Sequence, residues 1–165
     1  MLKSLLSREE CAKCKICCTF DDEDIWETPI IYNELAESVK GSVGGELIDK
    51  GEYKLFSLSK KPEEELYYCT ALDRQKGCRL DSESKPFDCK IWPFRIMKLE
   101  GFNGYVITLS PVCPIVKTRP LDSIMATLDK IKDEIFAEAE AHPFMVKDYI
   151  DGYPILATRG LEARN

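Results

Sequence analysis

The sequence predicts an α+β fold in a single domain, and three of its features carry that expectation. Apolar residues recur at three- and four-residue steps from Leu121 to Ala139, short β-type runs broken by glycine and proline fill the middle of the chain, and four cysteines crowd the amino end in Cys11-Ala-Lys-Cys14-Lys-Ile-Cys17-Cys18. These features predict a small antiparallel sheet, an N-terminal metal-binding cysteine cluster and a long C-terminal helix. At 165 residues the chain is long enough to bury one core without covalent staples. No linker, repeat or low-complexity tract interrupts it. The expected domain therefore spans residues 1–165, with a cysteine-cluster region over 11–114 and a helical region over 120–165.

Taken in order, the start from Met1 to Ser7 meets Arg8, Glu9 and Glu10 before a signal-type apolar stretch develops, and no later run is long enough for a bilayer. This predicts a soluble, cytoplasmic protein that does not engage a membrane. Thr28-Pro29 followed by Ile30, Ile31, Leu35 and Val39 predicts a short helix ending near Gly41, and 41–45 a loop. Tyr53 to Leu58 and Leu66 to Cys69 have strand composition on either side of the turn at Lys60-Lys61-Pro62. Phe94 to Leu99 and Tyr105 to Leu109 flank Gly101-Phe-Asn-Gly104 and predict a hairpin. The stripe of Leu121, Ile124, Met125, Leu128, Ile131, Ile135, Phe136 and Ala139 predicts the long helix, stopping before Pro143 and packed on the sheet. The tail predicts a short helix and a strand over Pro154 to Thr158.

Eight cysteines in a reducing compartment point to metal ligation rather than to disulfides, because persistent bridges are rare there. Cys69, Cys78, Cys89 and Cys113 follow the amino-terminal four, so eight thiolates suffice for one or two four-ligand centres. The two-residue spacers between Cys11, Cys14 and Cys17 let a tight turn bring their sulfurs to one ion. In extended backbone the adjacent Cys17 and Cys18 side chains diverge, which assigns one of them to another site. Lys13, Lys15, Arg79 and Lys90 stand beside cysteines, where a cation lowers a thiol pKa and offsets thiolate charge. Phe20, Tyr67, Tyr68, Phe87, Trp92 and Phe94 are the aromatics placed to shield such a centre from water.

Other chemistries fit poorly. No second Cys-x-x-Cys pair follows, which argues against a zinc ribbon or finger, and the net charge of -6 argues against a general nucleic-acid surface. The one histidine, His142, precedes Pro143 at the expected helix end and reads as a capping or surface residue. The run Asp21-Asp22-Glu23-Asp24 lacks the glycine and spacing of a calcium loop and reads as a solvated turn. Three close cysteines with a remote Cys113-Pro114 follow the order found in bacterial ferredoxins.

The run Cys11-x-x-Cys14-x-x-Cys17-Cys18, with Cys69-x-x-Leu72, Gly77-Cys78, Pro86-x-x-Cys89, Trp92-Pro93-Phe94 and Cys113-Pro114, resembles the CxxCxxCC family of YkgJ-type cysteine-cluster proteins. That family is described as zinc- or iron-chelating. The resemblance covers Cys11 to Pro114 and implies that all eight cysteines are ligands to zinc, iron or an iron-sulfur cluster of the 4Fe-4S kind. It further implies a loose kinship with flagellin lysine N-methylases, though this chain is shorter than those and has no glycine-rich nucleotide loop. Two functions follow as expectations. One is an iron-sulfur or iron/zinc protein engaged in redox or methyl-transfer chemistry, with an oxidoreductase-like activity and a redox partner. The other is a zinc-stabilised module without catalysis that serves a protein partner.

Overall fold

The computed structural model describes residues 5–23 and 26–164, and the chain divides into two compact units. The first comprises Ser7–Lys90; the second comprises residues 91–164 with Leu5 and Leu6. Helices and antiparallel sheets are both present, and the architecture is α+β.

Ser7 starts the first unit. Its hydroxyl accepts from the Glu10 N–H (3.1 Å) while its own N–H donates to the Glu10 carboxylate (3.0 Å), a reciprocal box that caps α1 (Arg8–Cys14). Lys15 ends the helix in the left-handed conformation, with φ of 60°, and a 3-10 turn over Ile16–Cys18 leads into β1 (Thr19–Phe20). Asp21, Asp22 and Glu23 then form exposed bends, in keeping with a solvated turn; Asp24 lies outside the described residues, as do Met1 to Ser4.

The helix expected from Thr28-Pro29 to near Gly41 starts later than expected, at Ala36, and its first residues form a strand instead. Ile30–Tyr32 form β2, paired antiparallel with Tyr53, Lys54 and Leu55 of a later strand, and all three of its side chains are buried. A continuous apolar run of this length reads alike as helix or buried strand, and the distant pairing decides between them. Asp88, itself buried, accepts the Ile30 N–H through Oδ2 at 3.2 Å. After a 3-10 turn at Asn33–Leu35, α2 covers Ala36–Val43 and includes Gly41 and Ser42 of the expected loop; Gly44, at φ 64°, closes it by donating to the Lys40 carbonyl at 2.9 Å.

The remaining strands are short: β3 (Leu47–Asp49), β4 (Tyr53–Phe56), β5 (Leu58–Ser59), β6 (Tyr67–Cys69), β7 (Leu72–Asp73) and β8 (Gly77–Cys78). They build a β2-β4-β3 sheet, a β1-β6-β5 sheet and a β7-β8 hairpin around Phe20, Ile31, Val39, Val43, Phe56, Leu58, Cys69, Ala71 and Leu80. The helix α3 (Phe87–Ile91) follows.

The second unit has the expected hairpin, β9 (Phe94–Lys98) and β10 (Phe102–Leu109), in a four-stranded sheet of order β11-β9-β10-β12. Across it lies α4 (Leu121–Ala141), with Ile124, Leu128, Ile131, Ile135, Phe136 and Ala139 buried. Leu121, predicted on the same stripe, is instead 61% exposed. His142 ends the helix, its Nε2 3.8 Å from Glu138 Oε1. A 3-10 turn at Pro143–Met145 replaces the expected tail helix, followed by β11 (Lys147–Asp148) and β12 (Ile155–Ala163), which runs well past Thr158 because it pairs along β10 as far as Phe102. No helix among the described residues is long and apolar enough to cross a membrane.

Candidate metal centre

All eight cysteines carry free thiols. Cys11, Cys14, Cys17, Cys18, Cys69, Cys78 and Cys89 fall within residues 7–90, whereas Cys113, 1% exposed, belongs to the second unit. Helical spacing places Cys11 and Cys14 on one face of α1. The helix lies directly on β8: a Cβ added to Gly77, whose φ is 86°, would stand 2.9 Å from the Ala12 Cβ. Glycine at position 77 thus sets how closely the Cys78 strand approaches the Cys11 helix.

The expectation that Cys17 and Cys18 diverge is overturned. Their sulfurs are 3.9 Å apart. The divergence holds for extended backbone, but here the left-handed Lys15 and the 3-10 turn curl the chain, with the Cys18 N–H donating to the Lys15 carbonyl at 2.8 Å. Only beyond Cys18 does the strand begin, where Thr19 faces Tyr68 across the antiparallel pair. One step along that register brings Cys18 toward Cys69.

Cys69 belongs to the apolar core, and Cys18 and Cys78 pack against the same core. Cys69 sits opposite Leu58 on one strand pair and Cys78 opposite Leu72 on another. Burial pushes the Cys69 thiol up to about 12, with the charges of Cys78 and Cys17 adding and the Ala71 N–H and Arg79 opposing. The Cys89 thiol is driven well above its ordinary value, first by burial and then by Cys69, Cys17, Asp88 and Cys78. The Cys17 thiol rises well above its ordinary value chiefly through its hydrogen bond with Cys18, then through burial, against the pull of Lys85. Cys69 and Cys89 therefore lie within electrostatic reach of each other and of both Cys17 and Cys78, and Cys18 is in contact with Cys17.

Cations are arranged differently from the sequence expectation. Lys13 is spent on an exposed ion pair with Glu9 at 2.7 Å, and Lys90 donates to the Glu83 carbonyl at 3.2 Å. Arg79 holds the Val43 carbonyl at 2.8 Å and the Thr70 carbonyl, and it is the expected cation whose field reaches a thiol, that of Cys69. Lys85, four residues before Cys89, acts on Cys17 and was not picked out by adjacency in sequence. Of the aromatics, Phe20 and Phe87 are buried, Tyr67 lies under the Lys60 ammonium and Tyr68 under the Arg74 guanidinium. Trp92 and Phe94 are buried in the second unit.

The donor set is all sulfur, which suits zinc, iron or an iron-sulfur cluster. An S···S separation of 3.9 Å is close to the ~3.8 Å edge of a sulfur tetrahedron around zinc with ~2.3 Å bonds. As the side chains stand, no group of three or more His, Cys, Asp or Glu among the described residues is arranged to hold a metal ion. The match to metal geometry is this one edge, between Cys17 and Cys18.

Comparison with family models, with curated proteins and with solved structures yields no match. The chemistry of the site rests on the residues described above.

Proposed function

We propose that the chain is a metal–thiolate protein whose cysteines hold zinc or iron at a centre that includes Cys17 and Cys18, with Cys69, Cys78 and Cys89 as the thiols that complete it. The observation that carries this reading is the 3.9 Å approach of the two vicinal sulfurs. Two thiolates so close suit a single ion, whereas in a 4Fe-4S cubane each cysteine takes a different iron and the sulfurs stand wider apart. The geometry therefore favours a zinc-stabilised module over a cubane protein. Its role is to present a surface to a protein partner, and the metal supplies folding energy to residues 7–90.

A second reading, an iron-sulfur centre with redox or methyl-transfer chemistry, keeps one specific support. The order Cys11-x-x-Cys14-x-x-Cys17 is that of cluster-binding chains. In that reading Cys11 and Cys14 join the ligand set.

Metal and acid-labile sulfide analysis on protein purified without oxygen separates the two. The favoured reading expects about one or two colourless zinc ions per chain and no sulfide, with at least one ion lost in the Cys17→Ser, Cys18→Ser double variant. A brown protein with about four iron and four sulfide would establish the second reading instead.

A further inference from the structure

A cavity of about 400 Å³ opens at the amino end of α4 in the second unit. Its walls are apolar, with Leu109, Val116 and Ile124 among them, and the exposed Leu121 stands at its rim. The charged residues that line it are Lys117 and Arg119, both cationic, in a chain whose net charge is -6. Asp122, in the first turn of the helix, is exposed and does not line the cavity.

Three further observations bear on what the cavity takes. Ser110 lines it, is 2% exposed, and has a buried Oγ with no hydrogen-bond partner, although its N–H donates to the Pro93 carbonyl at 2.9 Å. A buried hydroxyl without a partner costs free energy that an added acceptor recovers. Arg119 is held in place by its Nε donating to the Leu5 carbonyl at 3.2 Å. The first turn of the 21-residue helix has no side-chain cap, since Pro120 occupies that position, so its positive end stays available to a negative group.

From the concave apolar wall, the two cations and the unpartnered hydroxyl, we infer that this cavity binds a small aliphatic carboxylate, its chain along Leu109, Val116 and Ile124 and its head group at Lys117 and the start of α4. The volume lies within the range of small-molecule sites and accommodates a medium-length acyl chain. Cations at the mouth and apolar groups within select an amphipathic anion over a neutral lipid or a polar metabolite. The inference is independent of the metal, because every residue it uses belongs to the second unit.

Calorimetric titration of the full chain with decanoate, below its micelle concentration, tests this against 1-decanol. Saturable one-to-one binding is expected, weaker by about tenfold for the alcohol, which forfeits a charge-assisted contact. Lys117→Gln should weaken decanoate by a comparable factor and leave decanol unchanged. Leu121→Asp places a carboxylate at the rim, where the helix tolerates it, and should abolish decanoate binding. Non-saturable uptake, equal affinity for acid and alcohol, or indifference to both substitutions would overturn the inference. So would exclusive binding of a peptide that pairs acidic with apolar residues.

Discussion

On the proposed metal–thiolate reading, a strong chelator should unfold residues 7–90 while residues 91–164 keep their structure. In hydrogen exchange followed by mass spectrometry, amides of β6, β8 and α1 would lose protection, and those of β9, β10 and α4 would retain it. The asymmetry follows from the composition of the two units. In the first, strands are two to four residues long, and a cysteine and its neighbours Cys18 and Cys78 form part of the core itself. Without metal that core must hold thiols in apolar surroundings with little regular backbone bonding. The second unit rests on an eight-residue and a nine-residue strand and a 21-residue helix. Structural zinc contributes on the order of 10 kcal/mol to small modules, more than a typical domain's total stability. Uniform protection before and after chelation would sink the proposed structural role.

The second large effect is expected at Gly104, where Gly104→Ala should cost more than about 3 kcal/mol or prevent folding of the four-stranded sheet. Its φ is 79°, and a Cβ there would lie 2.2 Å from the Gly160 carbonyl oxygen and 2.4 Å from that of Arg159. Both obstacles are backbone, at the register shift between Asn103 and Tyr105, so no side chain can swing aside. Gly101 supplies the control. Its φ is 78°, and an added Cβ would meet nothing within 4 Å. Gly101→Ala should therefore cost only the left-handed conformation, about 1 kcal/mol. Urea unfolding of the two variants distinguishes steric exclusion from backbone preference, and equal losses would refute the argument.

The parts of the fold legible in sequence were those with long periodic signals. The α4 stripe and the β9–β10 hairpin needed nothing beyond local pattern, and Pro143 and Gly101 to Gly104 bounded them. Residues 28–32 were misread because Thr28-Pro29 imitates a helix start, while the actual partner of Ile30 and Ile31 lies at Lys54 and Leu55. Conversely, Ser7-Arg-Glu-Glu10 is a capping box in plain sight that marks the true first helix.

The site was legible as a set of residue types and not as a geometry. Spacing identifies Cys17 and Cys18 as thiols in a cluster. Their separation depends on Lys15 adopting a conformation that lysine rarely takes, which composition does not announce. Lys85 and Asp88 reach the thiols through the fold rather than through adjacency, and burial, which dominates the Cys69 and Cys89 thiols, is a tertiary property.

Because Cys69 is at once a candidate ligand and a wall of the apolar core, chemical injury and mechanical failure coincide in the same atom. Oxidation of that sulfur beyond the thiol would insert a polar, bulkier group among Phe56, Leu58 and Leu80. A chain damaged there would not persist as a folded but inactive copy. It would open, become a substrate for proteolysis and be cleared, so the pool of surviving molecules would consist of intact ones.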